Sequence, residues 1–140
     1  MKRSTFKLVT AAVLVLGAGT AAAALPPIRH QGDVQYLSGG VGRDESESIR
    51  QAESTFPLAL EFVRKATPRD EYLADVEVAI SDHGGRSVLE VTSDGPFLLA
   101  RLPTGEYTVR AIYGGRSLEQ QVHVADRTPA RAVFVWPGGR

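Results

Sequence analysis

Short apolar alternations fill the chain from Pro57 to Trp136, and turn residues separate them. Leu58, Leu60 and Phe62 share one face of a strand, with Ala59 and Glu61 on the other. Val76, Val78 and Ile80 oppose Asp75, Glu77 and Ser81, and Tyr107, Val109, Ala111 and Tyr113 oppose Thr108, Arg110 and Ile112. Val122 and Val124 alternate with Gln121 and His123. Period-two patterning with one polar face is what an antiparallel sheet half exposed to water requires. In the final strand Ala132, Phe134 and Trp136 alternate with Val133 and Val135. Both faces there are apolar, which predicts a central or covered position. The paired glycines of Asp82-His83-Gly84-Gly85 and Tyr113-Gly114-Gly115-Arg116 predict tight hairpins, where φ must turn positive. The run Asp94–Val109 reads as a strand, a turn at Pro103-Thr104-Gly105 and a second strand. Pro103 fixes φ in that turn and Gly105 gives it conformational freedom, and Tyr107 can bury its ring and return its hydroxyl to nearby backbone as a tyrosine corner.

Upstream the pattern changes. Residues 25–56 are polar and glycine-containing, with a first strand and one short helix expected near Asp44–Ser54. Asp44 is placed to cap that helix, with Glu47 three residues on completing a capping box. Ile49, Ala52 and Phe56 would form its narrow apolar stripe, and a helix this short needs packing to persist. The fold expected is an all-β, antiparallel Ig-like or prealbumin-like sandwich of about seven to eight strands. Residues 57–137 form its core, as one domain with the 25–56 segment.

Residues 1–24 read as a cleaved signal peptide. Lys2, Arg3 and Lys7 are the basic region, Leu8–Leu16 the apolar stretch, and Ala22 and Ala24 an A-x-A cleavage site. The expected location is therefore periplasmic or secreted, without membrane insertion after cleavage. Removing these 24 of 140 residues leaves 116, enough for one unstapled core. The chain has no cysteine, which excludes disulfides, thiol catalysis and cysteine metal sites. Its net charge of zero conceals an asymmetry: three of 16 bases and none of 16 acids precede Leu25, so the mature chain carries −3. A mildly acidic surface without a basic block excludes nucleic acid as the expected partner.

Gly95, Phe97, Leu102, Pro103, Gly105 and Tyr107, continued by Tyr113-Gly114-Gly115, follow a glycine turn, aromatic strand, Leu-Pro-x-Gly-x-Tyr pattern. On these residues the chain resembles the carboxypeptidase regulatory-like domains, relatives in shape of transthyretin and of carbohydrate-binding-like sandwiches. The resemblance spans about Ala74 to Val124 and implies a fold, not a reaction. The Tyr36–Glu45 segment ahead of a short helix looks like a group of small exported bacterial proteins, which implies architecture only. A carboxypeptidase's catalytic domain does not accompany this pattern. The paired histidines and Tyr-Arg-Gly-Ser-like tail of transthyretin-shaped hydrolases are replaced by Val135-Trp136-Pro137-Gly138-Gly139-Arg140.

Candidate chemistry is sparse. Gly39, Gly40 and Gly42 can present backbone N–H groups as an anion nest, although Asp44 and Glu45 beside them would repel a phosphate. Asp44, Glu45 and Glu47 lack calcium-loop spacing. His30 falls in the N-terminal tail, His83 in a turn and His123 on a polar strand face, at no zinc-ligand spacing. Asp70 and Glu71 belong to a charged turn, and no Gly-x-Ser-x-Gly elbow occurs. Tyr36, Tyr72 and Trp136 are the aromatic candidates for a sugar platform. The expectation is a non-catalytic module without metal or cofactor that binds or supports another envelope component, a protein partner first and a glycan second. Its contact surfaces would be sheet edges, by strand addition, and the segment containing Tyr36, Gly39, Gly40, Gly42, Asp44 and Glu45. The alternative is a small-ligand binder for carbohydrate or an anion.

Overall fold

A computed structural model describes residues 25–138, so the expected signal peptide at 1–24 lies outside the described residues. In chain order the elements are β1 (Arg29–Gln31), β2 (Val34–Gly39), α1 (Arg43–Ala52) with a 3-10 turn at Glu53–Thr55, β3 (Leu58–Arg64), β4 (Glu71–Tyr72) and β5 (Val76–Asp82). There follow β6 (Ser87–Ser93), β7 (Phe97–Arg101), β8 (Gly105–Tyr113), β9 (Arg116–Val124) and β10 (Ala130–Trp136). One sheet has the order β1-β2-β7-β3-β10, with β4 also on β3, and the other β6-β5-β8-β9. The chain is an all-β sandwich with one short helix.

Two details correct the expectation. The described strands number ten rather than seven or eight. And β10 runs parallel to β3, from Ala130 opposite Leu58 to Trp136 opposite Arg64. The chain reaches β10 from β9 in the other sheet through Asp126–Pro129, so no hairpin imposes an antiparallel partner. The unforeseen strands have local causes. β1 and β4 are too short to display alternation. In β6, Val88 is an extra residue where the register shifts from Ile80–Leu89 to Ser81–Ser87, and this bulge breaks the period-two pattern.

The alternating residues build the inter-sheet core. Leu58, Leu60 and Phe62 of β3 and Ala132, Phe134 and Trp136 of β10 meet Val76, Val78 and Ile80 of β5, Val109 and Ala111 of β8, and Val122 and Val124 of β9. A second cluster lies on the outer face of the first sheet, where Ile49 and Ala52 of α1 and Phe56 cover Leu37, Ala59, Phe97 and Leu99. Fully burying side chains such as Ile49 and Phe56 contributes about 1.5–3 kcal/mol each, which stabilises a helix too short to persist alone. The strands buried on both faces are thus β3 and β7. β10 was expected to be covered but is an edge strand, with Val133 and Val135 exposed.

The Tyr107 hydroxyl donates to the Pro103 carbonyl at 2.6 Å, closing the tyrosine corner. Gly105 uses no positive φ and pairs with Val124 inside β8. Gly114 and Gly115 do take φ of 57° and 76°, as a two-residue hairpin between Tyr113 and Arg116 needs. Side chains close both open sides of the sandwich. Gln31 of β1 bonds both backbone groups of Glu90 on β6, donating to its carbonyl at 2.9 Å and accepting from its N–H at 2.7 Å. Across the other side, Gln120 of β9 donates to the Val133 carbonyl at 2.7 Å and the Trp136 indole to the Arg116 carbonyl at 3.0 Å. Four of the backbone groups that the edge strands would offer to another chain are thereby taken.

Candidate functional site

The glycine segment is shaped by close packing. Gly40 has φ 97°, and a Cβ there would stand 3.1 Å from Cε2 of Phe97 and closer still to Cδ2. Gly95 lies against the backbone of Gly39, leaving no room for a side chain. The Gly40 N–H donates to Glu45 Oε1 at 2.8 Å, so the chain's own carboxylate occupies this part of the anticipated anion nest. Gly42 is the N-cap of α1, and its carbonyl accepts from the Ser46 N–H at 3.1 Å. Asp44 therefore sits inside the first turn rather than at the cap. The capping box is not formed, and Glu47 faces Arg43 at 3.6 Å. Tyr36 points away from this loop and packs half-buried against the inter-sheet core.

Beside the loop opens a cleft of about 710 Å³. One wall is Gly40, Val41, Gly42 and the α1 face bearing Arg43, Ser46 and Arg50. The opposite wall is Arg69, Tyr72 and Ala74, with Pro96 and Phe97 at the start of β7 between them. Three guanidinium side chains line the cleft and no carboxylate does. Arg50 is held in place: its Nη2 donates to the Tyr72 hydroxyl at 2.9 Å, and its Cζ lies 5.2 Å from the Phe97 ring centroid. The Tyr72 ring stands 6.2 Å from that of Phe97 and remains 56% exposed. Arg69 is exposed and forms no ion pair among the described residues.

Beneath the cleft lies a charge cluster that fixes α1 to the sheet. Glu61 of β3 is buried and accepts from Arg131 Nη2 of β10 at 2.9 Å, with Arg50 Nη2 at 3.6 Å on its other oxygen. Glu53 stands 3.8 Å from Arg131. Burial raises the Glu53 pKa above its ordinary value, Arg131 opposes the rise, and the neighbouring Glu61 adds to it. The hydrogen bond to Glu61 raises that of Arg131.

The structure gathers Gly40, Gly42 and the aromatic candidate Tyr72 from the anticipated residues into the cleft, but not Tyr36, Gly39, Asp44 or Glu45. Arg43, Arg50, Arg69 and Phe97 were not anticipated. Arg43 and Arg50 are seven residues apart, two helical turns, and this spacing was the available signal. Trp136 is corrected as a sugar platform: it is 2% exposed and packs on Phe62, Phe134 and Tyr113. His30 lies in β1 opposite Gln35 rather than in a free tail. His83 is in the β5–β6 turn, and His123 Nδ1 meets Glu106 Oε1 at 2.6 Å on an exposed face. Asp70 pairs with Lys65 at 3.2 Å, and Glu71 with Arg64. Among the described residues no helix is long and apolar enough to cross a membrane. No protein-family model matches the chain, and no curated protein does.

Proposed function

We propose that this protein is a non-catalytic exported β-sandwich module that docks another cell-envelope component, using the cleft beside α1 as its contact. The observation that carries the reading is the convergence of Arg43, Arg50, Arg69 and exposed Tyr72 on one cleft that no carboxylate lines. Tyrosine and arginine supply a large share of binding energy at protein contacts. The apolar and alanine-rich leader supports export, and the resemblance of Gly95–Tyr107 to regulatory-like sandwiches supports an accessory role. Strand addition at the sheet edges is the weaker route, because the Gln31 and Gln120 side chains already bond edge backbone groups.

A second reading, a binder of small anionic or carbohydrate ligands, is favoured by the exposed Tyr72 ring beside three exposed guanidiniums. In-cell cross-linking separates the two. A photoreactive residue at Val41 should give a discrete protein adduct, lost on Arg43→Glu/Arg69→Glu reversal, while one at Thr92 on the far sheet should not. Equal labelling from both positions would end the docking proposal.

A further inference from the structure

Resting on that docking reading, we propose that the cleft receives an acidic peptide segment of the partner. An apolar side chain enters against the exposed Tyr72 and Val41, over the buried Phe97 ring, and flanking carboxylates pair with the arginines. The charge is local and available. Arg69 has no ion pair among the described residues, and Arg43 has one exposed partner at 3.6 Å, an arrangement worth little by itself. Arg50 is pre-organised by Tyr72, Phe97 and Glu61, so little side-chain freedom is lost when it meets a carboxylate. The planar guanidinium donors match a carboxylate two at a time.

The apolar part points to a polypeptide. Val41 is 66% exposed and Tyr72 56%, and both border the cleft, with the Phe97 ring between its walls. Large apolar side chains left in water at a charged cleft are the composition of a peptide-recognition surface. A saccharide would need neutral donors and acceptors to read its hydroxyls. Each side-chain hydroxyl here has one of its two roles taken, Ser46 donating to the Arg43 carbonyl at 2.9 Å and Tyr72 accepting from Arg50 at 2.9 Å. No Asn, Gln, Asp, Glu or His lines the cleft. The mature chain's charge of −3 also repels a long polyanion, whereas a short acidic segment meets only the three arginines.

Fluorescence anisotropy on the mature chain tests this with three labelled probes, each cut to a short oligomer of matched length: a random Glu/Tyr copolymer, polyglutamate and polygalacturonate. The copolymer is expected to bind most tightly. Arg43→Glu/Arg69→Glu should weaken it at least about tenfold with an unchanged melting temperature, since both side chains are exposed. Tyr72→Ser should reduce the preference for the copolymer over polyglutamate. Unchanged copolymer binding by the reversal variant would overturn the proposal, and so would tighter binding of polygalacturonate, which would assign the cleft to an acidic glycan. A specific adduct at Val41 together with failed copolymer binding would refute the peptide chemistry alone. Absence of that adduct refutes the docking reading itself.

Discussion

Replacing Arg131 with Met should destabilise the fold more than neutralising its partner Glu61, because the two substitutions leave different orphans. Glu61 lies between Phe97 and Val133 on neighbouring strands, with its side chain 9% exposed. Arg131 is half exposed and donates to it at 2.9 Å. Removing one member of a buried pair costs about 3–5 kcal/mol when the other is left buried and charged. Here Arg50 remains at 3.6 Å, and the solvent around Arg131 weakens the lost attraction, so about 2–3 kcal/mol is expected for Arg131→Met. The Glu61→Gln change leaves two guanidiniums that reach water, and its cost should be about 1 kcal/mol, that of one hydrogen bond. The double variant should then be more stable than Arg131→Met alone. Trp136 is the only tryptophan and is buried, so its fluorescence follows urea unfolding directly. The Arg131→Met midpoint should fall by roughly 1–2 M urea. A midpoint within error of wild type, or a larger fall for Glu61→Gln, would refute this account of how α1 is held over β3.

Three further outcomes are expected. Gly40→Ala should cost about 2–4 kcal/mol, because φ of 97° strains alanine and its Cβ meets the Phe97 ring. Gly42→Ala, at φ 90° but in open space, should cost only about 1–2 kcal/mol, and equal melting temperatures for the two would remove the packing role of Gly40. Gln31→Ala should accelerate hydrogen exchange at the Glu90 amide selectively, and unchanged exchange there would mean the β1–β6 clip does not form in solution. Burial raises the Glu53 pKa above its ordinary 4.5, so ionising it costs the folded state, and that cost grows as pH rises through the raised value. The advantage of Glu53→Gln over wild type in urea should accordingly increase from pH 4.5 towards neutrality, and a pH-independent difference would contradict it.

What could be read in advance followed from how local each cause is. β5, β8 and β9 each carry one polar face, and their alternation places Val78, Val109 and Val122 in the core without reference to any other part of the chain. Val88 shows where that logic stops. One bulged residue puts two apolar side chains side by side and hides β6, although its partner β5 is plain. β10 carries the same apolar residues on both faces that mark the covered strands β3 and β7. Only the crossing from β9 between sheets decides that it lies at an edge, and that crossing leaves no local mark. The glycines illustrate a different failure. Gly39-Gly40-Val41-Gly42 suggested exposed N–H groups, yet Gly40 is needed because Phe97, far along the chain, occupies the space of a side chain, and Glu45 supplies the anion. The cleft is harder still, since its arginines come from a helix and a turn, and its rings from a two-residue strand and the start of β7. Tyr72 and Arg69 belong to a stretch that reads as a solvated loop, and nothing in it signals a wall. That wall exists because β4 pairs with β3 at Val63 and Arg64, beyond the point where β7 ends its own pairing at Glu61. The unequal lengths of two strands thus open the cleft, and strand length relative to a neighbour is a property of the assembled sheet.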